Sequence, residues 1–246
     1  MTPRVLLLAG HEPTGRAGLL ADLSAARARG AEAVAIPTGQ TAQGTRTFGT
    51  FPSPARVLAA QVAAARELGP LHAVKLGMVV GPAQLRALRA VLADLDAWWV
   101  VDPVVRTSRG QVLSRLSARD YLGLAGPRVV LTPNLDEAAW LLGRPVPRTV
   151  AEASDAAGAL HRFGFGAVLV KGGHLPAGQG VADVLALASR VRVLVGRRLA
   201  RPATRRGTGC RLASALAAEL GRGRPMVTAV RLARAQVARY LRTGQD

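Results

Sequence analysis

The sequence predicts an α/β fold with a mostly parallel sheet covered by helices on both faces, and three observations predict it. Short apolar runs recur along the 246 residues, most of them closed by glycine, proline or asparagine. Between them lie Ala/Leu/Arg segments with helical periodicity. Strands buried on both faces read as continuous apolar runs, and their alternation with amphipathic helices is the pattern of parallel βαβ units. The third observation is the position of the unusual residues. Gly10, Gly77, Asp102, Asn134 and Lys171 stand at the carboxyl ends of the runs, where open α/β sheets bind ligands.

Taken in order, "RVLLLAG" is the first strand. Its apolar run of about five residues is too short for a signal-peptide core or a membrane span, so the chain is expected in the cytoplasm with no membrane partner. A Gly/Pro turn and a helix carrying Asp22 follow. "EAVAIPTG", "HAVKLGM", "WWVVDPVV", "RVVLTPN" and "GAVLVKGG" are the next strands, with helices expected over 55–68, 82–94, 135–143 and 151–163. Residues 183–202 read as a strand pair closing in a basic turn. No repeat, low-complexity block or linker divides the chain, so one domain is expected over 1–246.

Apolar residues make up 49% and aromatics only 4%, so the core is built from Ala, Val and Leu. A single cysteine cannot form an internal disulfide, and nothing requires an oxidising compartment. The net charge of +18 raises the question of nucleic acid. The arginines, however, are scattered through helical stretches such as "VRLARAQVARYLR" without aromatic interleaving, which reads as solvated helix faces and no nucleic-acid partner. Of 33 basic residues only Lys75 and Lys171 are lysines. A compact ammonium and a planar guanidinium are not interchangeable in tight space, so both positions are singled out.

Several stretches bear on chemistry. In "RRGTGCRLASALAAEL", Gly207 and Gly209 permit a turn whose N–H groups point into one concavity, and the helix that follows adds partial positive charge. That is a cradle for an oxyanion or a phosphoryl group in transfer, formed with Thr208. Cys210 at its mouth is expected to have a lowered thiol pKa, or else to be a small residue filling a tight turn. Asn134 and Glu137 in "TPNLDEA" suit Mg²⁺, but taken alone they read first as an ordinary helix start with a capping box. Asp102 in "VVDPVV" is a carboxylate at the end of an apolar strand and needs a metal, a cation or donors. Lys171, with Gly172 and Gly173 behind it, suits nucleotide phosphates, and His174 reads as a loop residue. No histidine pair has zinc spacing.

In order, "AGHEPTGRAGLLADL", "TAQGT", "VKLGMV", "DPVV", "LTPNLDEA", "VKGGH" and "RRGTGC" resemble the hydroxymethylpyrimidine/phosphomethylpyrimidine kinases of thiamine biosynthesis, in the ribokinase-like group, from about residue 5 to about residue 220. The resemblance implies a three-layer α/β/α domain that uses ATP and Mg²⁺ to phosphorylate the hydroxymethyl group of a pyrimidine and its monophosphate, commonly as a homodimer. It places Gly10, Asp22, Gln43, Met78 and Val104 at the pyrimidine. Lys171, Gly172, Asn134 and Glu137 fall at ATP, with Asp102 and Glu137 near Mg²⁺, partly through water and phosphates. Gly207, Thr208 and Gly209 become the anion hole, and Cys210 the residue that meets the substrate hydroxyl. Pyridoxine/pyridoxal kinases of the same group are the alternative substrate class, and a non-catalytic ligand-binding paralogue is the alternative without chemistry. The chain departs from the family pattern at Arg16 in the first loop, at Gly44, at Arg106 to Gln111, where an acidic residue is lost, and at Arg205 and Arg206 in place of a Thr-His pair.

Overall fold

Strand β1 (Arg4–His11) holds the centre of the first sheet segment, buried along nearly its whole length. It runs parallel to β2 (Glu32–Gln43) on one side and to β4 (Ala73–Leu76) on the other. The connections are α1 (Gly18–Ala28), then the short strand β3 (Phe48–Pro52) and α2 (Ala55–Glu67). Helix α3 (Pro82–Val91) leads to β5 (Trp98–Val101), which pairs parallel with β4. Proline at the first position of α3 costs nothing, since its missing N–H has no partner in a helical first turn. The computed structural model describes residues 1–107, 109–173, 175, 181–188, 190–198 and 205–246. His174 lies outside them.

The second set of elements is α4 (Ala118–Leu122), β6 (Val129–Leu131), α5 (Leu135–Leu142), α6 (Val150–His161), β7 (Ala167–Val170), β8 (Val181–Leu187) and β9 (Arg190–Gly196). Here β6 and β7 are parallel, whereas β8 and β9 are antiparallel additions. This is the strand pair expected over 183–202, although residues 199–202 lie outside the described ones. The chain closes with α7 (Thr208–Gly221) and α8 (Met226–Thr243). Met1–Arg115 with Pro202–Asp246 forms one compact unit and Leu116–Arg201 another. Within the first unit the strand order is β3-β2-β1-β4-β5, and within the second β6-β7-β8-β9.

The core of the first unit is Val5 to Leu8, Val74, Leu76, Val100 and Val101 against α7, ten of whose residues are buried. Helix α7 packs on α1, on α8 and on β1, β4 and β5. Its Ala-rich sequence lets it lie close to the strands. The strand β3 is absent from the sequence expectation. "FGTFP" has no alternating apolar face, and it is a strand because β2 extends to Gln43 and pairs with it antiparallel, Gln43 opposite Phe48.

Candidate active site

Gly207 caps α7 with φ 74° and ψ 20°, a left-handed conformation. A Cβ there would also run into the Arg16 carbonyl oxygen. The N–H groups of the first turn, at Thr208, Gly209 and Cys210, lack intrahelical acceptors and stand at the positive end of a 14-residue helix. The turn is braced. Arg211 lies 3.8 Å from the Tyr240 ring centroid, pairs with Asp246 at 2.9 Å and donates to the carbonyls of Arg16 and Arg206 at 3.2 and 3.3 Å. The Tyr240 hydroxyl donates to the Arg206 carbonyl at 3.1 Å. Gly207→Ala is expected to lower stability by about 1–3 kcal/mol, the strain of a side chain held in such a conformation. An unchanged denaturant midpoint would contradict the left-handed turn.

Beside α7 lies a buried charge cluster. Lys75 on β4 donates from Nζ to Asp22 Oδ2 at 2.7 Å, and both side chains are fully buried. Ser214 on α7 donates to Asp22 Oδ1 at 2.8 Å. Asp102, at the carboxyl end of β5, is buried and acts through its charge on Lys75, Asp22 and Cys210. Burial pulls the Lys75 ammonium down, but Asp22, Cys210 and Asp102 outweigh it and hold its pKa above the usual value. Burial pushes the Asp22 carboxyl up, against the pull of Lys75 and Ser214. The singled-out Lys75 is therefore the cation that Asp102 and Asp22 share. Asp22, expected at the pyrimidine, has both oxygens engaged inside the protein and none exposed.

Cys210 corrects the sequence reading. The thiol is not lowered. Desolvation pushes it from 9.0 up to about 11, with Lys75 opposing, Asp22 and Asp102 adding to the rise, and the Gly18 N–H donating to it. The residue keeps some solvent exposure, but burial and the two nearby carboxylates penalise a thiolate more than Lys75 and the Gly18 N–H favour one.

The other expected residues of this unit come together in two groups. Gly10 packs directly against the Met78 side chain, where a Cβ would overlap it. Met78 clusters with Val80 and Leu113, and Phe48 and Val104 pack onto them. Gln43 instead meets Arg206, whose Nη2 donates to Gln43 Oε1 at 2.5 Å. Sequence reasoning passed over Ser214 and Glu12. Glu12 is buried and accepts from the Thr14 N–H and hydroxyl at 3.1 and 2.6 Å. Burial raises its pKa, but those bonds and the Arg206 charge outweigh it and hold it below the usual carboxylate value. An acid two residues before a threonine in a Gly/Pro turn was the available signal.

In the second unit Asn134 caps α5. Its Oδ1 accepts from the Glu137 N–H and Glu137 Oε2 accepts from the Asn134 N–H, both at 2.8 Å, a complete capping box. Lys171 Nζ is 3.9 Å from Glu137 Oε2, and a bridge pairs the Asn134 and Lys171 backbones. The Gly172 N–H donates to Asp183 Oδ1 at 2.8 Å, and a Cβ there would overlap the Ala182 carbonyl. Among the described residues no group of three or more His, Cys, Asp or Glu side chains forms a metal cage. Glu137 beside a lysine at a helix N-terminus fits a hydrated Mg²⁺ held mainly by nucleotide phosphates, since that ion keeps its waters and takes one or two carboxylates.

Among the described residues, no helix is long and apolar enough to cross a membrane. A family model described as phosphomethylpyrimidine kinase matches residues 12–246. The hydroxymethylpyrimidine/phosphomethylpyrimidine kinase of Rhizobium meliloti is 38% identical over 242 residues, covering 96% of this chain and 89% of its own. That of Streptomyces coelicolor is 37% identical over 245 residues, covering 98% and 90%. A solved pyridoxal kinase from Staphylococcus aureus in complex with AMP-PCP has a TM-score of 0.88 at 26% identity, covering 99% of this chain and 89% of that one. The architecture is thus the ribokinase-like α/β fold that the sequence predicts, and the chain belongs to the phosphomethylpyrimidine kinase family.

Proposed function

We propose that this kinase moves the γ-phosphoryl group of ATP to the hydroxymethyl oxygen of 4-amino-5-hydroxymethyl-2-methylpyrimidine, and then to the resulting monophosphate, in thiamine biosynthesis. The observation that carries this reading is the Gly207–Cys210 turn. It puts the first-turn N–H groups of Thr208, Gly209 and Cys210, which lack intrahelical acceptors, at the positive end of α7, whose Ser214 bonds the Asp22 that holds a buried lysine. Phosphoryl transfer asks the protein for positioning and charge neutralisation more than for covalent chemistry. In this reading Gly10, Met78 and Val104 offer an apolar wall for the ring, and Gln43 offers a polar edge.

Lys171 faces the nucleotide phosphates, with Gly172 tied behind it through its N–H bond to Asp183, and Asn134 shapes the helix start that presents Glu137. A bound Mg²⁺ would supply neutralisation of charge on the transferring phosphoryl group, with Glu137 the carboxylate available to its waters. Cys210 meets the substrate hydroxyl as a neutral thiol. A loose transition state loses the hydroxyl proton late, so no strong base is required before transfer. The whole chain acts as a single kinase domain, in the cytoplasm and as a homodimer, with no membrane or nucleic-acid partner.

The test is ADP release from purified protein with Mg-ATP and, separately, the pyrimidine alcohol, its monophosphate, pyridoxine and pyridoxal. Turnover on the pyrimidines at least ten-fold above the pyridoxyl compounds is expected. The likeness to a pyridoxal kinase at TM-score 0.88 gives the second reading its standing, and the reverse preference would establish it. Silence on all four acceptors, with ligand-induced thermal stabilisation, would make the chain a binding paralogue.

A further inference from the structure

Helix α7 carries two charged side chains, Arg211 and Glu219, and both are buried. Glu219, near the far end of the helix, is matched by Arg29 and Arg222 at 2.6 and 3.2 Å. Arg211 stands in the first turn, where a cation opposes the helix dipole. It is also only 5% exposed, although arginine is seldom buried unless paired. Two costs thus fall on one side chain, one residue after Cys210. Residues that break local rules in this way concentrate at functional sites.

Arg211 is not a cation waiting for substrate, because its head group is already engaged inside the fold. Nε pairs with both Asp246 oxygens at 2.9 and 3.0 Å, and the guanidinium stacks on Tyr240. Nη1 donates to the carbonyl oxygens of Arg16 and Arg206, and the Tyr240 hydroxyl is a second donor to the latter. Those two carbonyls meet at the turn. Arg206 directly precedes Gly207, and the Arg16 oxygen is the atom that a Cβ on Gly207 would strike. Two residues on from Arg16, the Gly18 N–H donates to Cys210. One guanidinium therefore ties the first loop to the turn that opens α7.

We propose that Arg211, held by Asp246 and Tyr240, is a positioning residue for phosphoryl transfer: it draws two carbonyl oxygens away from the anion-binding turn and fixes the first loop against it. The proposal rests on the kinase reading above. A carbonyl oxygen carries partial negative charge, and two beside a cradle of N–H groups would repel the phosphoryl oxygens that the cradle serves. Both peptides are trans and planar, so a grip on the Arg206 and Arg16 oxygens also turns the Gly207 and Ala17 N–H groups away from the guanidinium. Such aim matters, since a misplacement of about 1 Å can cost about a hundred-fold in rate.

Asp246→Ala is the first variant to make, since that side chain bonds Arg211 from outside the helix core and its loss is expected to leave the fold intact. With the pyrimidine alcohol and Mg-ATP it is expected to lower kcat by about ten-fold and move both KM values by less than about three-fold, the pattern of an interaction that acts in the transition state. Arg211→Lys keeps the charge but not the fork that reaches Asp246, Arg16 and Arg206, so it is expected to lose as much. Adding Asp246→Ala to Arg211→Met should cost nothing further, because Asp246 acts through Arg211. Hydrogen exchange without substrate follows the lock itself: amides of Arg16 to Gly18 and Arg206 to Cys210 are expected to exchange faster in Asp246→Ala, with those of Val5 to Leu8 unchanged. A wild-type kcat in Asp246→Ala overturns the proposal, as does unchanged exchange at both segments. So does faster exchange in β1 as well, which would leave Arg211 a role in stability alone. Absence of wild-type turnover on every acceptor would instead defeat the kinase reading, while exchange at the turn still decides the lock.

Discussion

Lys75→Met is expected to destabilise the protein by about 3–5 kcal/mol, the usual cost of removing one partner from a buried ion pair. The ammonium is fully buried, bonded to Asp22 at 2.7 Å, and it also offsets the charge of Asp102. Methionine fills nearly the same length but leaves the buried Asp22 and Asp102 carboxylates, whose charges act on each other, without their shared cation. Asp22 already has a raised pKa from burial, and without Lys75 it rises further. A carboxyl whose folded pKa lies above its unfolded value stabilises the fold at pH below the unfolded value and loses that contribution as pH climbs. The deficit of Lys75→Met is therefore smaller at pH 4 than at pH 8, measured as the difference in urea midpoints times a common slope. Adding Asp22→Leu recovers part of the loss, because an apolar pair of similar volume escapes the desolvation cost. Recovery is incomplete, since the Asp102 carboxylate still lacks the ammonium. A single variant within 1 kcal/mol of wild type at pH 8 would refute the shared-cation role.

Lys75 also shows how far the sequence could be read. A chain that uses arginine nearly everywhere keeps lysine at two places, and both are structurally singular: one buried beside Asp22, the other near Glu137 at a helix start. The anomaly was visible, but its partners were not, because Asp22 is 53 residues away and only the parallel order of β1 and β4 brings α1 beside β4. Strands β1, β4 and β7 were legible as apolar runs because they are buried along nearly their whole length, and β2, β5 and β6, partly exposed at their starts, because glycine, proline or asparagine closes each apolar run. The capping box at Asn134 and Glu137 was legible too, being a contact within four residues. Strand β3 was not, since its existence depends on the hairpin and not on its own pattern. Nor was the Arg211–Tyr240–Asp246 brace, which joins residues 35 apart at the edge of α8. Local rules failed most sharply at Cys210, where the position at a helix N-terminus pointed one way and the tertiary burial won.

That reversal sets the last expectation. Cys210 is the only cysteine in the chain, so alkylation by iodoacetamide, followed by mass spectrometry, reports on it alone. With its pKa pushed from 9.0 up to about 11, the thiolate fraction at pH 8 is roughly 100-fold below that of an unperturbed thiol, two pH units being two decades. The alkylation rate should rise through pH 9 and reach half its plateau near pH 11. In Lys75→Met the curve should move higher still, because the nearest cation that favours the thiolate is gone. A thiol protonated at neutral pH cannot serve as a standing base, so its place beside the first-turn N–H groups is that of a neutral hydrogen-bonding partner to the acceptor hydroxyl. Cys210→Ser keeps a neutral donor there and is expected to retain turnover within about ten-fold, whereas a general base would be worth about 10²–10⁴-fold. The sign on stability follows from the same shift: the raised thiol contributes stability below pH 9.0 and loses it as pH rises toward 11. A half-maximal alkylation rate at pH 9 or lower, together with a thousand-fold loss in Cys210→Ser, would restore the thiolate and return the base to this position.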